Sequence, residues 1–142
     1  MTGLAVDTRQ CVWEVRCDLS RLWGPLPEYG TRPGSFEATP LMIDDVMYVA
    51  TMYTRVVALD AATGEEVWAF DPRAYETGPR GAGPGGFKHR GVAVHGAGDD
   101  LLIFINSRDR LFALDAATGV AFPGFGDEGF VVLTDGFPNE VT

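Results

Sequence analysis

Two cysteines, two histidines and a scatter of acidic and basic side chains are the groups in this sequence able to do chemistry. Cys11 and Cys17 have five residues between them, a spacing that fits neither a C-x-x-C redox pair nor half of a common zinc site. If residues 11–17 form one extended strand, with Trp13 and Val15 at alternate positions, its ends lie roughly 20 Å apart, so two independent thiols are expected. Asp60 and Asp115 each sit in the same seven residues, Ala-Leu-Asp-Ala-Ala-Thr-Gly. There an aspartate accepts backbone N–H bonds across a turn and the threonine adds its hydroxyl, so turn chemistry accounts for both without a catalytic role. His89-Arg90 precedes one apolar run and Glu37 precedes another. Taken alone, an arginine ahead of a strand in an acidic protein is a surface ion pair worth roughly 0–1 kcal/mol. His95, late in its run, reads as structural, and Asp109 within Ser107-Arg108-Asp109-Arg110 reads as a turn residue held by its arginine neighbours.

What must position these groups is a repeat. The seven residues from Ala58 to Gly64 recur letter for letter 55 residues later, from Ala113 to Gly119. Upstream, Val46-Met47-Tyr48-Val49-Ala50 is answered by Leu101-Leu102-Ile103-Phe104-Ile105, and Arg55-Val56-Val57 by Arg110-Leu111-Phe112. Each copy reads as four short strands separated by turns, at 39–43, 46–51, 55–60 and 66–70, then at 91–95, 101–106, 110–115 and 130–133. The second copy has a longer turn at 96–100 and an extra connection at 122–129 before its last strand. Four-stranded units at this interval point to an all-β fold, a partial β-propeller of about two antiparallel blades. Apolar runs such as 101–105 suit sheets covered on both faces. A β-sandwich would explain the strands but not the repeated turn.

The bulk numbers agree. Eighteen glycines and nine prolines exclude a helical bundle, since each inside a helix costs about 1–3 kcal/mol relative to Ala. A formal net charge of −9 argues against nucleic acid or an anionic membrane as partner. No apolar run approaches the ~20 residues that span a bilayer, and residues 1–25 lack the basic segment and apolar core of a secretory signal. The expected organisation is an atypical segment at 1–34, a first blade at 35–72, a Gly/Pro-rich loop at 73–88, a second blade at 89–135 and a tail at 136–142. Within the first segment, residues 12–15 suit a strand and 25–34 are irregular.

Ala58-x-Asp60-x-x-Thr63-Gly64-x-x-x-Trp68 resembles the tryptophan-docking motif of the quinoprotein dehydrogenases, whose eight-bladed propellers hold pyrroloquinoline quinone (PQQ). In such a motif Trp68 lies between sheets, burying roughly 200 Å². The second copy has Pro123 at that place, so its fourth strand cannot dock in the same way. The Pro123-Gly124-Phe125-Gly126-Asp127-x-Gly129 that follows resembles the glucose-dehydrogenase-like branch. Phe36-Glu37-Ala38-Thr39-Pro40-Leu41 and His89-Arg90-Gly91-Val92-Ala93 resemble the family's cofactor-contact segments, and both precede a first strand and so fall on one face of the ring. The resemblance implies that Glu37, Arg90 and His89 contact PQQ, a tricarboxylate suited to the planar two-point contact of a guanidinium.

The resemblance covers residues 35–135. It implies the early blades of a periplasmic dehydrogenase oxidising an alcohol or sugar, with Ca²⁺ and an aspartate general base supplied from outside this chain. By the same resemblance, in the complete enzyme a base would take the substrate hydroxyl proton and PQQ, polarised by Ca²⁺, would accept the hydride. The adjacent cysteines of the alcohol-oxidising relatives and a haem-binding C-x-x-C-H are both missing. Two blades alone expose faces and edges, which predicts docking to remaining blades or self-association, and an isolated chain without activity. The alternative is a non-catalytic propeller scaffold resembling the outer-membrane assembly lipoproteins, for which Glu37 and Arg90 have no reason to share a face.

Overall fold

The computed structural model describes residues 37–51, 53–74, 76 and 89–135. The readings of Cys11, Cys17, the strand at 12–15, the irregular stretch at 25–34 and most of the loop at 73–88 lie outside the described residues. The chain divides into two compact units, Met1–Val92 and Ala93–Thr142, and each carries one four-stranded antiparallel sheet. In the first unit β1 (Leu41–Ile43), β2 (Val46–Ala50), β3 (Val56–Asp60) and β4 (Glu66–Phe70) pair in sequence order. In the second, β5 (Ala93–His95), β6 (Leu102–Ser107), β7 (Arg110–Asp115) and β8 (Phe130–Val132) do the same. No helix among the described residues is long and apolar enough to cross a membrane.

Both first strands begin two residues later than their apolar runs suggest, and the cause is the same in each. Pro40 has no N–H to give a ladder, and the N–H of Thr39 is donated to the carbonyl of Arg90 at 2.9 Å. The N–H of Gly91 is donated to His89 Nδ1 at 3.2 Å. The amides that would open the strands are thus committed to partners outside the ladder, Thr39 to Arg90 and Gly91 to His89. Between β1 and β2 the Ile43–Val46 pair is closed by Asp44 and Asp45 alone, with φ of 46° and 64°. That is the type I′ loop whose twist matches the flanking strands.

The central strands of the first sheet, β2 and β3, are covered on both faces. Val49 pairs with Val57 and Met47 with Leu59, and these four form an apolar cluster on one face. On the other, Tyr48, Ala50, Val56, Ala58 and Trp68 are all buried, with Trp68 opposite Ala58 and its ring 5.9 Å from that of Tyr48. The ladder shifts register between Ala58 and Leu59, whose partners are Trp68 and Glu66, so Val67 is the extra residue of a bulge and is exposed. In the second sheet Ile103, Ile105, Phe112 and Leu114 are buried on one face, whereas Phe104 on the other is only half-buried. Burial on both faces, expected for each blade, is reached only by the central strands of the first sheet, since Met42 of β1 and Val67 of β4 are exposed.

The pairing corrects the alignment of the copies. Val46 pairs with Asp60, and in the second sheet it is Leu102, not Leu101, that pairs with Asp115. The second strands therefore correspond at one residue more than the 55 that relates the turns. The difference is absorbed in the next hairpin. Thr51 and Arg55 close a three-residue loop in the first copy, but Ser107 and Arg110 close a two-residue loop in the second. At Asp109 the contact observed is through its backbone, with its carbonyl accepting the N–H of Leu133 at 2.6 Å.

Candidate functional site

Alternating strand direction sorts the chemistry of the first unit onto two ends of its sheet. One end carries Glu37 ahead of β1, the loop from Thr51 to Arg55, and Asp71 beyond β4; the other carries Asp44, Asp45 and the turn from Asp60 to Gly64. The repeated turn and the Glu37 segment therefore lie at opposite ends.

At the turn, Asp60 Oδ1 accepts the N–H groups of Ala62 and Thr63 at 2.9 and 2.8 Å and the hydroxyl of Thr63 at 3.0 Å. Thr63 Oγ1 in turn accepts the N–H of Glu65 at 3.2 Å. Gly64, with φ of 74°, sends its N–H to the Asp60 carbonyl at 2.7 Å and closes the loop. These contacts hold the Asp60 carboxyl below its ordinary pKa of 3.8, the Thr63 N–H acting most strongly and the Thr63 hydroxyl next. Asp115, Thr118 and Gly119 repeat the arrangement, with Thr118 N–H and Oγ1–H at 2.8 and 2.7 Å from Asp115 Oδ1. Each of these partners lies within its own turn, so the two aspartates serve geometry.

At the opposite end Arg90 Nη2 lies 3.8 Å from Glu37 Oε2, with the Arg90 side chain 87% exposed and that of Glu37 34%. The backbones are joined more firmly than the side chains, through the Thr39-to-Arg90 hydrogen bond. His89 is buried, at 7% exposed. His95 is the reverse case, exposed in β5. Sequence reasoning missed the other polar groups of this end. Arg55 Nε lies 3.3 Å from Asp71 Oδ2, and Thr51, Tyr53 and Thr54 are buried in the loop between β2 and β3. The signal was present as Thr51-x-x-Thr54-Arg55, but in sequence it looks like any polar hairpin loop.

Among the described residues no group of three or more His, Cys, Asp or Glu side chains is placed to hold a metal ion. What this end offers is the Arg90 guanidinium and the Glu37 carboxylate, with the buried His89 imidazole next to them in the chain.

Residues 2–142 match the PQQ family described as glucose/ethanol/alcohol dehydrogenase, beta-propeller domain. The 1-butanol dehydrogenase (cytochrome c) of Thauera butanivorans is 41% identical over 87 residues, covering 58% of this chain and 11% of that protein. Quinohemoprotein alcohol dehydrogenase ADH IIB of Pseudomonas putida is 41% identical over 86 residues, covering 60% of this chain and 12% of its own. The crystal structure of quinohemoprotein alcohol dehydrogenase from Comamonas testosteroni is similar with a TM-score of 0.54 and 29% identity, over 73% of this chain and 14% of that one. The chain thus spans 11 to 14% of the length of these proteins. With two four-stranded sheets, a twice-built Asp-Thr-Gly turn and a match along nearly its whole length, the chain belongs to the PQQ family of glucose, ethanol and alcohol dehydrogenase β-propeller domains.

Proposed function

We propose that this chain supplies part of the PQQ site of a periplasmic dehydrogenase oxidising an alcohol or sugar, through Arg90, Glu37 and His89. The observation that carries the reading is the convergence of Glu37 and Arg90. They stand ahead of different strands of the sequence, yet their side chains approach to 3.8 Å at one end of the first sheet. The Arg90 side chain is 87% exposed, and at 3.8 Å the Glu37 contact is longer than a hydrogen bond, so its donor fork is open to a second carboxylate.

The donor set fits the cofactor. PQQ presents three carboxylates, and Arg90 offers a planar two-point contact. Glu37, a carboxylate beside an anionic ligand, has an orienting and hydrogen-accepting role, with its own charge balanced by Arg90. When bound, PQQ takes up the two electrons removed from the substrate carbon. Ca²⁺ belongs to the same reading, held by ligands from other parts of the enzyme, since a hard cation takes six or more oxygens. The exposed apolar residues Met42, Val67, Phe122 and Leu133 are then covered by further blades or by self-association.

Titrating PQQ into the isotopically labelled chain, with backbone and Arg side-chain NMR signals as readout, tests the reading. Saturable shifts at Arg90, Gly91 and Glu37 are expected. Arg90→Ala should weaken binding by about tenfold or more, the scale of a charge-assisted hydrogen bond. An affinity unchanged by Arg90→Ala would leave the non-catalytic scaffold as the better reading.

A further inference from the structure

Arg90 is an exposed side chain on a tightly held backbone, and His89 is what holds one side of it. The carbonyl of Arg90 accepts the Thr39 N–H at 2.9 Å. The next amide, that of Gly91, donates to His89 Nδ1 at 3.2 Å, an i to i+2 closure around Arg90 by its own neighbour. His89 is 7% exposed and the bond itself is part-buried, so competition from water is reduced. A ring nitrogen that accepts carries no proton, so the neutral imidazole holds its proton on Nε2.

We infer that His89 is a positioning residue for the PQQ site: its Nδ1 fixes the backbone of Arg90 and thereby aims the guanidinium. The inference rests on the PQQ reading of this end of the sheet and refines it, giving Arg90 the contact and His89 the aim. A flexible arginine on a loose loop samples many directions, whereas one on a clamped peptide searches only its own side-chain rotamers. Ordering it on binding is correspondingly less unfavourable.

The chemistry also dictates which substitutions succeed. Asparagine places Oδ1 two bonds beyond Cβ, as histidine places Nδ1, and it accepts the same hydrogen bond; glutamine reaches one bond further and does not. His89→Asn should therefore keep PQQ affinity within about twofold of the parent chain, while His89→Leu and His89→Gln lower it by roughly three- to tenfold.

The test combines two measurements on the 142-residue chain. Nitrogen-15 NMR of the imidazole, without any ligand, should show Nδ1 unprotonated and Nε2 protonated; the opposite tautomer overturns the inference even if the leucine variant does not fold. PQQ titration of His89→Leu, Arg90→Ala and the double variant then separates aim from contact. If His89 acts through Arg90, the His89→Leu effect disappears in the Arg90→Ala background, and fully additive losses would instead make His89 a direct contact. Arg90→Ala without effect would bring down the site reading itself, whereas a sensitive Arg90 with an insensitive His89→Leu brings down only the positioning role.

Discussion

Phe125 meets Phe104 edge-on, with ring centroids 5.4 Å apart and planes at 82°. By strand pairing Phe104 is the counterpart of Tyr48, since Tyr48 pairs with Ala58 and Phe104 with Ala113. The Phe104–Phe125 contact therefore stands where Tyr48 and Trp68 pack in the first sheet. The fourth strand of the second sheet is interrupted at that place. Ala113 accepts the N–H of Phe122 and donates its own to the carbonyl of Gly129, so residues 123–128 leave the ladder between two bonds of one residue. The one-residue bulge at Val67 has become a six-residue excursion, and its Phe125 ring supplies the aromatic cover that Pro123 cannot.

This equivalence predicts a shared kind of sensitivity but unequal sizes. Trp68 is 9% exposed, and Trp68→Ala should cost about 3–5 kcal/mol. Phe125 is only half-buried, and Phe125→Ala should cost about 1–2 kcal/mol, the range of an aromatic pair with part of its area. A double-mutant cycle with Phe104→Ala, followed by urea unfolding, should return a coupling of about 0.5–1.5 kcal/mol. Additive losses would mean that Phe125 does not do for Phe104 what Trp68 does for Tyr48.

The Asp60 turn makes stability depend on acid. Its carboxyl is held below 3.8 by the N–H and hydroxyl of Thr63, so the unfolded chain binds that proton more readily than the folded one. The stabilisation is complete above the unfolded pKa and declines as pH falls below about 4 towards the folded value. Asp60→Asn keeps an Oδ1 acceptor but does not titrate. Urea midpoints measured from neutral pH down to about pH 3 should therefore fall less steeply for Asp60→Asn than for the parent chain.

Features carried by local chemistry were legible in the sequence, and those carried by cross-strand geometry were not. The turn at Asp60 is specified within five residues, and β4 and β7 have the bounds that their apolar runs suggest, because turns fix both ends. The starts of β1 and β5 misled because the amides of Thr39 and Gly91 are used by Arg90 and His89, partners remote from or outside the strand. The excursion at 123–128 was visible as a delay, but nothing in the spacing revealed that Phe125 returns to Phe104. At the candidate site, Glu37 and Arg90 could be placed on one face because each precedes a first strand. Their approach, and the burial of His89, Thr51 and Thr54 beside exposed ends, depend on how loops fold back.

Thr51 offers a test of that buried loop. It is 1% exposed, and its Oγ1 is buried without a hydrogen-bond partner among the described residues. A sheltered hydroxyl left unsatisfied costs about 1–3 kcal/mol, and valine has the same shape without the oxygen. Thr51→Val should therefore be neutral or stabilising by up to about 1 kcal/mol, although Thr to Val changes in ordinary hydrogen-bonded sites destabilise. A clear loss of stability in chemical denaturation would show that the hydroxyl is satisfied in solution.

Gly91 links the fold to the site most directly. Its φ of 149° is one that residues with a side chain rarely adopt, and a Cβ there would lie 3.1 Å from the Thr39 carbonyl oxygen. The oxygen is a backbone atom and the Cβ is fixed to its own Cα, so the strain cannot be relieved by a rotamer change. Gly91→Ala should destabilise the chain by about 1–3 kcal/mol. It should also move the Thr39 and Arg90 amide signals while those of the Asp60 turn, at the far end of the sheet, stay in place. A variant with unchanged stability and unchanged Arg90 signals would mean that the backbone joint between the Glu37 and Arg90 segments is not tight, and the convergence on which the site depends would lose its mechanical support.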